Sequence, residues 1–238
     1  MRKSNIEQDI LYLDNHLLIV NKHASDIVQG DKTGDEPLSE TIKQYLKIRY
    51  HKPGKVFLGV VHRLDRPVSG AVIFARTSKA LTRLNIMLRD GEIQKQYWAI
   101  VKNLPPKPCD HLTGFIVRNE EQNKSFVYQK PVSGAQQAEL IYRVLDSGDH
   151  YHLLEIELLT GRHHQIRAQL ASIGCPVKGD LKYGSARSNP GGFIHLHARQ
   201  IRFIHPVRKE LLTVIAPVPD DSLWNFFQSR QTPQNPLS

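Results

Sequence analysis

Cysteine is scarce: the chain has two, Cys109 and Cys175, in 238 residues. They are too few for a disulfide framework and too scattered for a zinc ribbon, so each is expected to be a small, reduced, semi-buried residue. No apolar run reaches the roughly 20 residues needed to span a bilayer. The opening MRKSNIEQDI lacks the apolar core of a signal peptide, and a cytoplasmic location is expected. Neither a Walker loop nor a dinucleotide fingerprint occurs, which argues against nucleotide-dependent chemistry.

Acid is also in short supply. Against 32 Lys and Arg stand 23 Asp and Glu, a net charge of +9 with 12 histidines besides. That imbalance favours a polyanionic partner over a small neutral one. Hydrophobic residues make up 40% of the chain and charged residues 23%, an ordinary balance for a globular protein with one sizeable core.

The stretch that organises the chain is 60–79, VVHRLDRPVSGAVIFARTSK. Val60-Val61 and residues 71–75 are dense in β-branched and aromatic side chains and read as strand pieces. Between them lies a polar hexapeptide, 62–67, holding an acid among two arginines. In an extended backbone Arg63 and Asp65 share one face and Leu64 turns to the other. Asp65 is then a carboxylate beside a guanidinium, which suits a nucleophile or base and equally suits a surface ion pair beside a turn. Pro67 and Ser69-Gly70 are expected to turn the chain before the next strand.

Strands are expected over 10–22 (two, around Asp14-Asn15), 95–101, 138–145, 151–159, 193–204 and 211–216, with a polar hairpin over 114–130. Helices are expected from Leu38 to about Tyr50, after an N-cap at Ser78, over 166–173, and as a short turn over 223–227. Many successive strands with few helices between them predict an α+β protein with a mixed, mainly antiparallel sheet and flanking helices. The tail from Thr232 reads as disordered. His195 and His197 fall on one face of a strand and could join His163 and His164 in a metal cluster. No Asp or Glu completes a recognisable ligand spacing, so no metal is expected.

His62-Arg63-Leu64-Asp65, followed by Ser69-Gly70 and Ala75, resembles the signature of the RluA family of RNA pseudouridine synthases, with Val68 where that family usually has threonine. Lys95-Gln96-Tyr97 resembles its second motif, and Thr160-Gly161-Arg162 with His164-Gln165-Ile166-Arg167 its third. Gly179-Asp180 with Tyr183-Gly184 is similar to a fourth, expected to be a structural turn. Asn21-Lys22 matches only in part, because His23 and Ser25 replace a proline and a glycine; no site is assigned there.

The resemblance implies a pseudouridine synthase fold with a central cleft, as a single catalytic domain over 1–231 with no separate N-terminal RNA-binding module. It implies Asp65 as nucleophile, Arg167 as the cation that holds it, and Tyr97 as the ring that stacks on the base or removes a proton from C5. Arg63, Arg162, His62 and His164 become candidates for binding the substrate. The reaction implied is isomerisation of uridine in ribosomal or transfer RNA, by a monomer, without cofactor or metal. A protein that keeps the fold and binds RNA without turnover is the alternative.

Overall fold

The computed structural model describes residues 6–30 and 34–231. The tail expected to be disordered lies outside them.

A single helical turn, α1 (Ile6–Asp9), leads into a hairpin of β1 (Ile10–Leu13) and β2 (Leu17–Lys22). Its turn is built by Asp14, whose carboxylate accepts from the backbone N–H groups of His16 and Leu17 at 2.7 Å each. Leu18 and Val20 enter the core on one face of the sheet, Leu17 and Ile19 on the other. A strand covered on both faces reads as a near-continuous apolar run, as β2 does over 17–20, which is why it is so legible in the sequence. Each such side chain contributes about 1.5–3 kcal/mol through burial.

Helix α2 (Leu38–Arg49) lays Ile42 and Leu46 on the first face. The short β3 (Gly59–Val60) then pairs with β4 (Ser69–Ala75). Helix α3 (Ser78–Arg89) covers the second face with Ala80, Leu84 and Met87. Its cap is Thr77, one residue before the expected Ser78: the Thr77 hydroxyl accepts from the Ala80 N–H at 3.1 Å.

β5 (Gln94–Val101) splits its side chains between the faces, Tyr97 joining the first core and Trp98 a third cluster on the other side. A hairpin of β6 (Cys109–Asn119) and β7 (Lys124–Tyr128) precedes the long pair β8 (Gln136–Ser147) and β9 (His152–Leu158). Helix α4 (Gln165–Ser172), strands β10 (Leu196–Ile204) and β11 (Leu211–Ile215), and helix α5 (Ser222–Arg230) complete the chain. Helix α5 is longer than the turn the sequence suggested, because the Asp221 carboxylate caps it on two N–H groups and Trp224 and Phe227 are buried beneath it.

The sheet runs β1-β2-β4-β10-β5-β9-β8-β6-β7, with β3 beside β4 and β11 beside β10. Every pairing is antiparallel except β4 with β10. This is the expected α+β, mainly antiparallel sheet with helices on both faces. Ser69-Gly70 is not a turn, however: both residues belong to β4, and the turn lies just before, at 65–68. Gly70 has φ +117, and a Cβ there would collide with the backbone of Ala198 on β10. Glycine is what lets the parallel pair close at the middle of the sheet.

Candidate active site

The segment 61–65 carries the first residues of the polar hexapeptide out of β3 without further strand structure. Its direction is set by side chains. Leu64 is buried in the first core, which turns Arg63 and Asp65 the other way, as the alternation predicts. His62 supplies Nε2 as acceptor for the backbone N–H of Ile73 on β4 at 3.2 Å, so a ring takes the place of a strand carbonyl. Burial, with the charge of Lys95, holds the His62 imidazole neutral, its pKa lowered to about 3.

The turn after Asp65 is pinned from several sides. Val68 N–H donates to Asp65 C=O at 3.0 Å, Ser25 N–H to Arg66 C=O at 2.8 Å, and Ile194 N–H to Pro67 C=O at 3.1 Å. From the end of β2, the Lys22 ammonium donates to the carbonyls of His23, Arg66 and Val68 at 2.8, 3.2 and 2.7 Å. Lys22 is only 1% exposed. Burial lowers its pKa to about 8, against the opposing pull of Asp26 and Asp65. Val68 itself is buried, and its backbone makes the turn's bonds without a side-chain hydroxyl.

Asp65 then meets α4. Arg167 Nη1 donates to Asp65 Oδ2 at 2.9 Å, while its Nε and Nη2 form a fork on Asp180 at 2.6 and 2.9 Å. Both Arg167 and Asp180 are buried. Burial alone would lower the guanidinium's pKa, but bonding and attraction from Asp180, with the charge of Asp65, more than offset it and the pKa is raised. The expected acid–cation pair is therefore present, yet Asp65 is not the main counter-ion. Asp180 holds the planar fork in place, and Gly179, at φ +88, turns the chain so that it does so.

Helix α4 is itself anchored through Gln165, whose Oε1 accepts from the Thr160 hydroxyl and the Arg162 N–H at 2.8 and 3.0 Å. Arg162 spends its Nε on the Gln137 carbonyl at 2.8 Å. His164 Nε2 lies 3.4 Å from Asp65 Oδ2. His195 and His197, raised as possible metal ligands, face other partners: His195 contacts Asp221 and Asn189, and His197 contacts Ser69 at 2.8 Å.

An open cleft of about 800 Å³ lies over these groups. Asp65, Tyr97, Arg167, Arg63, Arg162, His62 and His164 all line it, so residues from three separate stretches of sequence converge there. Tyr97 is 6% exposed. Burial, with the charge of Asp65 adding to it, raises the phenol's pKa and disfavours phenolate. Sequence reasoning placed Lys22, Asp180 and Lys95 within motifs but gave none of them a role in the site. Lys95 lines the cleft near Gly161, with its pKa lowered by burial. For Lys22 and Lys95 the available signal was a lysine at the end of an apolar strand run, Lys22 closing β2 and Lys95 near the start of β5.

A family model described as RNA pseudouridylate synthase matches residues 16–172, a span that contains Asp65, Tyr97 and Arg167. The chain belongs to the RluA family of RNA pseudouridine synthases. The enzyme is thus an isomerase acting on RNA. It is 34% identical over 221 residues to an uncharacterized RNA pseudouridine synthase of Synechocystis, covering 90% of this chain and 67% of that one. It is 30% identical over 221 residues to ribosomal large subunit pseudouridine synthase C of Vibrio cholerae, with the same coverage of each. Among solved structures, human RNA pseudouridylate synthase domain containing 4 superposes with a TM-score of 0.77 at 23% identity, covering 94% of each chain, and shares the fold.

Proposed function

We propose that this enzyme converts particular uridines of structured RNA, ribosomal or transfer, to pseudouridine through a covalent adduct on Asp65. The observation that carries this is the pairing of Asp65, on the wall of an open cleft, with a buried arginine whose other nitrogens are fixed on a second carboxylate. Such a carboxylate is held by a fixed cation and aimed into the cleft, as a nucleophile needs to be.

Uracil is detached from the ribose, turned, and rejoined through C5, with Asp65 attacking at C1′ or at C6. A stacked uridine is out of reach, so the base is flipped into the cleft at a cost of a few kcal/mol. Stacking on Tyr97 recovers about 1–3 kcal/mol of that. With its phenol driven toward the protonated form, Tyr97 is better suited to stacking than to acting as a base in the free enzyme. Arg63 is exposed beside the nucleophile and would fill the vacated place in the RNA or grip its backbone. Arg162, His62 and His164 line the same cleft as further candidates for contacting the nucleotide.

Mapping pseudouridine across total RNA with and without the gene tests this. One or more sites that disappear on deletion, and return with the wild-type chain but not with Asp65→Asn, are expected. A map unchanged by deletion, with RNA binding intact, would instead favour a binding factor that keeps the fold without turnover.

A further inference from the structure

His164 precedes α4 with a left-handed backbone, φ 54 and ψ 23, and its side chain makes no cap hydrogen bond. A non-glycine residue persists in that conformation where its surroundings over-determine it. Here the ring is what is held. Its Nδ1 meets the Tyr183 hydroxyl at 3.0 Å, its Nε2 faces Asp65 Oδ2 at 3.4 Å, and its plane stacks on His163 at 3.7 Å between centroids.

The partners on either side of the ring favour one tautomer. Nε2 faces a carboxylate, which only accepts, and the Ser125 backbone N–H already occupies one lone pair of the Tyr183 hydroxyl at 2.8 Å, leaving the hydroxyl proton for His164 Nδ1. With Nδ1 as acceptor, the single imidazole proton sits on Nε2, facing the carboxylate. Burial is the main reason the ring stays neutral, with its pKa lowered to about 3.

We propose that His164 is a positioning residue for Asp65: a neutral Nε2–H donor, set in that tautomer by Tyr183, that fixes which carboxylate oxygen faces the substrate. Arg167 donates to the same oxygen, Oδ2, and among the described residues no side chain donates to Oδ1. Oδ1 is thereby left to the uridine. A separation of 3.4 Å in the free protein suits a hydrogen bond that tightens once substrate fills the cleft. The proposal rests on Asp65 being the nucleophile.

Two measurements test it. Nitrogen-15 NMR of the histidine rings reports the tautomer directly, and the wild type is expected to show the Nε2–H pattern at His164, giving way to a mixture in Tyr183→Phe. In steady-state kinetics Tyr183→Phe should lower kcat roughly tenfold or more with KM unchanged, as loss of an orienting partner does. In a His164→Gln background, where the amide has no tautomer to set, Tyr183→Phe should cost nothing further. An Nδ1–H pattern in the wild type, or equal kcat losses in the two backgrounds, overturns the proposal. Isomerisation that survives Asp65→Asn overturns the nucleophile assignment itself, and is read separately from the ring spectrum.

Discussion

Arg167 reaches Asp65 across 102 positions of sequence, with Nη1 donating to Oδ2 at 2.9 Å, and it does so with a guanidinium already committed on its other edge to Asp180. One cation therefore serves two carboxylates, one buried and structural, the other at the cleft. Lysine, a point charge without the planar fork, cannot reproduce this.

Arg167→Lys is accordingly expected to lower turnover by about 100-fold, the scale of an ångström-sized misplacement of a reacting group. RNA affinity should change little, because the residue's contacts are to carboxylates within the protein. Single-turnover rates and binding titrations on one RNA substrate separate the two. Equal losses in both would contradict this role.

Lys22 ties the catalytic turn to β2 and titrates near 8, against an unfolded value near 10.5. Below about pH 8 it is charged in both states, and its contribution to stability is constant. Between about pH 8 and 10.5 the unfolded chain binds more protons than the folded one, so the Lys22 contribution grows more favourable as pH rises, by up to about 1.4 kcal/mol per pH unit. Urea unfolding of wild type and Lys22→Met across pH 7–10 should show their difference shifting toward wild type above pH 8. A pH-independent difference would place the titration elsewhere.

Ser25 occupies a left-handed backbone, φ 81, where the resembled motif has glycine, and its N–H is bonded to Arg66 C=O. Ser25→Gly should relieve about 1 kcal/mol of strain and raise the unfolding midpoint without loss of activity. A lower midpoint would show that the serine side chain contributes more than its backbone costs.

Tyr97 presents a buried ring whose hydroxyl makes no hydrogen bond among the described residues, and whose phenol resists ionisation. Tyr97→Phe should therefore bind substrate RNA as tightly as wild type, while Tyr97→Ala should lose about 1–3 kcal/mol of affinity. Equilibrium binding to a substrate oligonucleotide measures both, and a large loss with phenylalanine would give the hydroxyl a binding role.

Much of the fold was legible because β2, β4 and β5 are apolar at most positions and α2 and α3 carry stripes at helical spacing. Asp65, Tyr97 and Arg167 were legible through short motifs. What escaped depended on contacts remote in sequence. Gly70 looked like a turn residue until β10 was seen running parallel beside it. Asp180 looked like part of a loop until its carboxylate was found on Arg167. Lys22 ended a strand in the sequence, and only the folded turn at 65–68 supplies the carbonyls that explain its burial.

Release of tritium from RNA labelled at uridine C5 is the most direct measurement of the chemistry assigned to Asp65. With Asp65→Asn folded as wild type by its unfolding midpoint, release should fall to background while the RNA is still bound. Release at the wild-type rate from that variant would contradict the account at its centre.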